Sequence, residues 1–129
     1  MRTFRYLIVG GGMTADAAVQ GIRERDPSGT IGLVRAEPLP PYARPPLSKG
    51  LWKGDAVETI WRPGAPAGAE LILERRIVDL DPAAKRATDD RGEEYAFDRL
   101  LLATGGTPRR LSYERSEERR VGKECRSRW

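Results

Sequence analysis

The sequence predicts an α/β fold, with a parallel sheet and a small β-meander, and three neighbouring segments carry this prediction. Residues 6–9 (YLIV) form an apolar run that ends in three glycines, as is typical of a strand buried on both faces of a parallel sheet. A helix follows, because apolar residues recur at i, i+3, i+4 and i+7: Ala15, Ala18, Val19 and Ile22. Residues 30–34 (TIGLV) predict a second strand. In such a βαβ unit the strands are parallel and the crossover is right-handed.

The next segment, residues 37–66, is rich in proline and has no regular apolar spacing. It predicts a long ordered loop with at most short helices, around residues 47–52 and 56–60. Long loops in compact domains are usually functional. This segment is therefore a candidate source of binding residues.

The segments after the loop predict the strands of the meander. Residues 70–79 are apolar enough for a strand or a pair of strands. Residues 85–88 and 93–97 flank the sequence Asp-Asp-Arg-Gly, a hairpin-type turn in which Gly92 is free to adopt a positive φ. Residues 99–103 predict a buried apolar strand, closed by a Thr-Gly-Gly turn.

The composition excludes several classes of protein. The chain has 129 residues, with one cysteine and no histidine, and this length allows about one domain. A disulfide framework, a cysteine-rich zinc site and an imidazole base are therefore excluded. No apolar run approaches the roughly 20 residues of a membrane-spanning helix, and no secretory segment follows residues 1–5. We therefore expect a cytoplasmic protein without membrane association.

Residues 115–129 (RSEERRVGKECRSRW) lack the apolar periodicity of the rest of the chain. All fifteen match the in-frame translation of a nucleotide string that resembles a short-read sequencing adapter. We therefore expect residues 1–114 to be the natural part and the tail to be non-native, which leaves Cys125 without an evolved role. Because residues 1–114 carry 17 basic and 16 acidic side chains, we expect no binding to nucleic acid.

The most informative local pattern is Gly-x-Gly-x-x-Ala, placed between the first strand and the helix as dinucleotide binding requires. Gly10 permits the tight turn, Gly12 lets backbone amides approach a pyrophosphate, and Ala15 lets the helix pack close to the sheet. The phosphates then meet the helix N-terminus, whose unpaired amides favour an anion. The candidate phosphate-binding residues are Gly10, Gly11, Gly12, Met13, Thr14 and Ala15.

Two residues after the second strand are candidates for recognising the ribose of the nucleotide. Glu37 is the acidic residue that we expect to accept hydrogen bonds from an adenosine ribose. Arg35 lies closer to the strand and, in a dehydrogenase, would instead meet the 2′-phosphate of NADP. Asp16, in the first turn of the helix, would repel a phosphate, so we expect it to point away.

Two further segments resemble those of a known family. Residues 41–52 (PYARPPLSKGLW) resemble the flavin-side loop of ferredoxin reductases and apoptosis-inducing factor, flavoproteins of the glutathione-reductase structural group. Residues 100–109 (LLLATGGTPR) resemble the Ala-Thr-Gly segment that closes the first FAD-binding stretch of these proteins. With the glycine motif, the resemblance covers residues 6–111. It implies a truncated, Rossmann-like FAD-binding fold, in which residues 1–114 are the first segment of an incomplete FAD domain.

The resemblance implies roles for residues outside the glycine motif. Arg44 would reach the pyrophosphate, and Lys49, the candidate catalytic residue, would approach the flavin near N5. Pro45 stiffens the loop between them. Backbone groups of Ile77 and Val78 would contact the adenine, with the side chains of this strand mainly in the core. The turn after the last strand would approach the FAD through Ala103, Thr104 and Gly105.

The resemblance also implies an electron path. Disulfide reductases of this group carry a redox cysteine pair where this chain has residues 43–51, which contain no cysteine. Electrons would therefore pass from NAD(P)H through FAD to a separate acceptor, such as a ferredoxin-like carrier, and the fragment alone would be inactive. Two alternatives stay open: an NAD(P)-binding dehydrogenase domain and a non-enzymatic nucleotide-binding module.

Overall fold

The computed structural model describes residues 1–62 and 68–107. In chain order its main elements are β1 (Arg2–Val9), α1 (Met13–Arg25), β2 (Ile31–Val34), β3 (Glu70–Ile72), β4 (Ile77–Asp81), β5 (Arg86–Asp89) and β6 (Glu94–Leu102). Short 3₁₀ helices occur between β2 and β3: Pro45–Ser48, Leu51–Lys53 and Val57–Ile60. The predicted tail at residues 115–129 and the boundary before it lie outside the described residues and stay predictions.

The strands form one mixed sheet in the order β3-β2-β1-β6-β5-β4. β1 is parallel to β2 and to β6, and β2 is parallel to β3. β5 pairs antiparallel with both β4 and β6, which completes a meander. The βαβ unit, the parallel sheet and the meander predicted from the sequence are therefore confirmed.

Different layers cover the two faces of the parallel strands. On one face, Ala15 and Val19 of α1 form a buried cluster with Ile8 of β1. On the other face, the neighbouring residue Leu7 forms a second cluster with Tyr95 of the meander. Successive residues of a strand point to opposite faces. This explains why β1 is apolar at consecutive positions, as expected of a strand buried on both sides.

The connection between β3 and β4 shows that the sheet curls. These strands lie at opposite ends of the pairing order, yet only residues 73–76 join them. The five Cα–Cα steps from Ile72 to Ile77 cover at most about 19 Å, whereas five strand spacings in a flat sheet come to about 24 Å. The meander therefore folds back over the parallel strands. The buried cluster that joins Ile72 to Ala87 of β5 reflects this packing.

The strand predicted at residues 99–103 is instead the second half of β6. The prediction that it is buried is wrong, because Leu101 and Leu102 are 37% and 58% exposed. Pairing between β5 and β6 extends only as far as Ala96. Beyond that residue, the described part of the chain provides β6 with a neighbouring strand only on the β1 side.

The apolar segment predicted at residues 70–79 forms two strands, β3 and β4, which lie at opposite ends of the pairing order. Ile77 packs against the core, as expected, but Val78 is 61% exposed. The prediction that the side chains of this strand lie mainly in the core is therefore wrong for Val78. Neighbouring residues of a strand point to opposite faces, and only one face of β4 packs against the parallel strands.

Candidate nucleotide-binding site

The glycine turn, residues 10–12, lies at the carboxyl edge of the parallel strands, beside the turns that follow β2 and β6. The N–H of Gly10 donates a hydrogen bond to the carbonyl of Val34 at 2.8 Å. The N–H of Ala103 donates to the carbonyl of Val9, also at 2.8 Å. The crevice at this edge is the usual ligand site of open α/β sheets. Motifs from the two ends of the described chain therefore meet where a ligand is expected.

Two glycines of the turn differ in their surroundings. Gly10 has a φ of +125°, and a Cβ added to it would lie 2.1 Å from the carbonyl oxygen of Ala103. A Cβ added to Gly12 would meet no atom within 4 Å. Gly10 thus permits the close approach of two turns, whereas Gly12 keeps the space before α1 open.

The N-terminus of α1 is suited to an anion. Its N-cap, Gly12, has no side chain to accept hydrogen bonds from the first-turn amides. Asp16 follows in the same turn but is fully buried, and its Oδ2 accepts hydrogen bonds from Arg62 Nε at 2.8 Å and Gln20 Nε2 at 2.9 Å. The expectation that Asp16 points away from the phosphate position is met.

A cavity of about 570 Å³ lies at this edge of the sheet. Four segments of the chain line it together: the glycine turn, the loop after β2, the link from β3 into the start of β4, and the turn after β6. The predicted binding residues in its lining are Gly10, Gly11, Gly12, Glu37, Arg44, Ile77, Ala103, Thr104 and Gly105.

Other predicted site residues do not line the cavity: Met13, Thr14, Ala15, Pro45, Lys49 and Val78. The first three open α1, where their backbone amides rather than their side chains are the predicted donors. Lys49 is exposed and follows the 3₁₀ helix Pro45–Ser48. The structure therefore does not bring Lys49 to the other site residues, and its role stays a prediction.

The cavity also contains residues that the sequence did not indicate. They include Arg75 and Arg76, which lie in the short link between β3 and β4. The N–H of Arg75 donates to the carbonyl of Arg35 at 3.0 Å, which ties the link to the end of β2. No local pattern marks these residues, because they reach the site only through the curling of the sheet.

Asp89 fixes the side chain of Arg75 from the meander. Its Oδ2 accepts hydrogen bonds from Arg75 Nη1 at 3.0 Å and from the Tyr95 hydroxyl at 2.7 Å, while its Oδ1 accepts the N–H groups of Arg91 and Glu93. Burial alone would raise the pKa of Asp89, but these four donors outweigh it and hold the pKa below its ordinary value. Burial, together with the neighbouring Asp89, raises the pKa of the Tyr95 phenol.

Glu37 lies between two arginines. Its Oε2 accepts a hydrogen bond from Arg35 Nη2 at 2.5 Å, and its Oε1 accepts one from Arg44 Nη2 at 2.7 Å. The two guanidinium carbons lie 5.8 and 5.9 Å from the centroid of the Tyr42 ring, in cation–π contact. The carboxylate predicted to hold the ribose is therefore fixed in position from both sides.

The cavity is predominantly basic. Its charged lining, within the described part of the chain, comprises one carboxylate and four guanidinium groups: Glu37, Arg35, Arg44, Arg75 and Arg76. Guanidinium groups present several donors to phosphate oxygens, and clustered like charges raise the local concentration of an opposite charge. The lining therefore suits a ligand that carries phosphate.

Two other kinds of site were not found in residues 1–62 and 68–107. No three acidic, cysteine or histidine side chains gather there in a way that could hold a metal ion. None of the helices in these residues has the length and apolar character needed to cross a bilayer.

Comparison with known proteins agrees with this geometry. Residues 4–128 match the pyridine nucleotide-disulphide oxidoreductase family. The chain belongs to that family. This family member is 38% identical over 117 residues to the 5,5'-dehydrodivanillate O-demethylase ferredoxin reductase subunit of Sphingobium sp., and 30% identical over 137 residues to mitochondrial apoptosis-inducing factor 1 of Dictyostelium discoideum. The resemblance predicted from the sequence is thereby confirmed.

A solved structure supports the same fold for this oxidoreductase family member. The crystal structure of the covalent putidaredoxin reductase–putidaredoxin complex has a TM-score of 0.76 and 29% identity, covering 87% of this chain and 28% of that one. The matches to the Sphingobium and Dictyostelium proteins cover 87% and 92% of this chain. The chain spans only 28% and 26% of the length of these two relatives.

Proposed function

We propose that this chain is the N-terminal FAD-binding portion of an NAD(P)H oxidoreductase that passes electrons through FAD to a ferredoxin-like or other carrier. The observation that carries the proposal is the shared cavity. The glycine turn, Glu37 with Arg44, and the turn at Thr104 and Gly105 all line it, although they are far apart in the sequence. Because the chain spans under a third of the relatives above, we expect it to be inactive alone.

The lining fits the parts of an FAD molecule. The open space beside Gly12 and the first-turn amides of α1 suit a diphosphate. The guanidinium group of Arg44 provides further hydrogen-bond donors for it. Glu37 provides acceptors for the ribose hydroxyls, because each carboxylate oxygen accepts more than one hydrogen bond. The turn at Thr104 and Gly105 has no bulky side chain, which allows a ligand to approach the backbone closely.

When bound, FAD supplies the ring system that takes up a hydride from NAD(P)H and releases electrons singly. The residues of this chain bind and orient that group. Lys49 is the proposed catalytic residue, because an ammonium beside the flavin ring stabilises negative charge on it. Lys49 lies on the same loop as Arg44, five residues further along the chain, with Pro45 and Pro46 restricting the backbone between them.

The proposed electron acceptor is a separate protein. The chain has a single cysteine, at position 125, and so holds no cysteine pair for a disulfide relay. One relative is a ferredoxin reductase subunit, and one related structure is a complex of putidaredoxin reductase with putidaredoxin. A ferredoxin-like carrier is therefore the acceptor class that we propose, with the cytoplasm as the place of the reaction.

Flavin binding by the purified chain tests this function. We expect added FAD to bind, measured as quenching of flavin fluorescence, and NAD(P)H to give no appreciable reduction of a ferredoxin. Binding of NAD or NADP in the absence of FAD binding would contradict the proposal and favour a dehydrogenase domain. Reduction of ferredoxin at the rate of a complete enzyme would contradict the expectation that the isolated chain is inactive.

A further inference from the structure

The fold holds Arg35 in one place beside the cavity. Its N–H donates to the carbonyl of Ile72, and its own carbonyl accepts the N–H of Arg75, both at 3.0 Å. Its side chain is 4% exposed. It packs against the glycine turn so closely that a Cβ added to Gly11 would lie 2.4 Å from Arg35 Cδ. A side chain enclosed in this way has few alternative rotamers, so the fold fixes the direction of the guanidinium group.

Within the described residues, one terminal nitrogen of the Arg35 guanidinium group has a hydrogen-bond partner and the other has none. Nη2 of Arg35 donates to Glu37, and the group lies against the Tyr42 ring. Nη1 is buried and has no hydrogen-bond partner in residues 1–62 or 68–107. A buried donor without an acceptor is destabilising, and more so when it is charged. Since Arg35 lines the cavity, a ligand in the cavity is the natural source of the acceptor.

Charge and position favour a phosphate oxygen as this acceptor. Arg35 and Arg44 share the single carboxylate of Glu37, so the three side chains together retain one positive charge. The stem of Arg35 lies against Gly11, the middle residue of the turn proposed to hold the diphosphate. For the ribose hydroxyls, in contrast, Glu37 is the acceptor proposed above. Hydrogen bonds between a guanidinium group and phosphate are among the stronger ones in proteins.

We propose that Arg35 is a buried phosphate anchor, whose Nη1 donates to an oxygen of the adenosine diphosphate half of the ligand while Nη2 orients Glu37. This inference rests on the proposed function. It adds a binding residue that belongs to neither the glycine motif nor the proline-rich loop. It also makes the site selective for diphosphate-bearing ligands over nucleosides.

Calorimetric titrations with ADP and with adenosine test the anchor. Arg35→Met keeps an unbranched stem against Gly11 but removes the donors. We expect the affinity for ADP to fall by about tenfold or more (about 1.4 kcal/mol). The affinity for adenosine should change by less than about twofold, because Arg44 still holds Glu37. The ADP affinity of the variant should also depend less on salt, and Arg35→Lys should recover part of the loss.

Arg2→Met is the matched control. Arg2 also pairs with a carboxylate, that of Glu70 at 3.0 Å, but both side chains are exposed and Arg2 does not line the cavity. Its replacement should leave ADP affinity unchanged. Thermal unfolding of each variant reports whether it folds. If Arg35→Met does not fold, the guanidinium NMR signals of Arg35 in the unchanged chain give a second test, since they should shift with ADP and not with adenosine.

The outcomes separate this inference from the proposed function. If FAD binds but Arg35→Met binds ADP as tightly as the unchanged chain, Arg35 is not an anchor. Equal losses for ADP and adenosine would also overturn the phosphate assignment and leave the proposed function standing. A chain that binds neither FAD nor ADP would overturn both.

Discussion

The carbonyl oxygen of Ala103 lies so close to Gly10 that a Cβ on residue 10 would come within 2.1 Å of it. Real Cβ atoms essentially never come within 3.0 Å of such an atom. Gly10 also has a φ of +125°, which L side chains rarely adopt. The missing side chain thus lets the turn after β1 meet the turn after β6, and both residues line the cavity.

The contact between Gly10 and Ala103 predicts that Gly10→Ala destabilises the fold strongly. The new methyl group would collide with a backbone carbonyl and would strain residue 10, at a combined cost of about 3 kcal/mol or more. Chemical denaturation measures this loss. Gly21→Ala is the control, because Gly21 lies in the exposed middle of α1 with no atom near its Cβ position. That change should stabilise the protein by up to about 1 kcal/mol, and equal losses for both variants would refute this explanation.

Gly12→Ala should separate ligand binding from stability. The added Cβ would meet no protein atom within 4 Å, so the free energy of unfolding should change by less than about 1 kcal/mol. The methyl group would occupy space that a diphosphate needs, and FAD affinity should fall by about tenfold or more. Flavin fluorescence and denaturation measure the two effects. Unchanged FAD affinity in a stable variant would show that the diphosphate does not approach Gly12.

Lys49→Met tests the predicted contact with the flavin. We expect the affinity for FAD to fall by about threefold to tenfold, while the affinity for ADP, which has no flavin, stays the same. Lys53→Met is the matched control, because Lys53 is an exposed lysine of the same loop that no prediction places at the flavin. If Lys49→Met and Lys53→Met bind FAD equally well, Lys49 is not the cation beside the ring.

Asp89 should contribute a pH-dependent part of the stability. Its pKa in the folded chain lies below the ordinary value of 3.8 because its four hydrogen-bond donors outweigh the effect of burial. Its contribution is therefore complete above about pH 3.8 and is lost as the pH falls through the lower folded-state pKa. Asp89→Asn should cost about 2 kcal/mol at neutral pH.

Denaturation of both proteins across acidic pH checks the contribution of Asp89. The difference in stability between the unchanged chain and Asp89→Asn should shrink as the pH falls below 3.8. Asp26, whose pKa is also lowered, titrates in both proteins and cancels from this difference. A difference that stays constant with pH would mean that Asp89 contributes no charge-dependent stability.

Features of the fold that depend on local sequence could be predicted. The four apolar positions of α1 repeat at a helical period, and Ala15 and Val19 are indeed buried against the sheet. The glycine motif lies between β1 and α1, where the sequence pattern predicted it. Leu101 and Leu102 show the limit of such reasoning, because their burial depends on which strand lies beside β6 and not on their own apolar character.

The rest of the site depends on contacts between distant parts of the chain. Arg75 lines the cavity because a short link crosses from β3 to β4 as the sheet curls, and no spacing in the sequence indicates that path. Arg35 could be named as a ribose-site candidate from its position after β2. The burial of its side chain against Gly11 and the lack of a hydrogen-bond partner for its Nη1 within the described residues could not be predicted, because both depend on packing between the two turns.

A competition titration of bound FAD with ADP and with FMN tests the central claim most directly. If the glycine turn and its arginines hold the diphosphate, FAD binds saturably at one site per chain, and ADP displaces it at lower concentration than FMN does. If FMN displaces FAD as effectively as ADP does, or if FAD does not bind saturably, the assignment of this cavity to a dinucleotide diphosphate is contradicted.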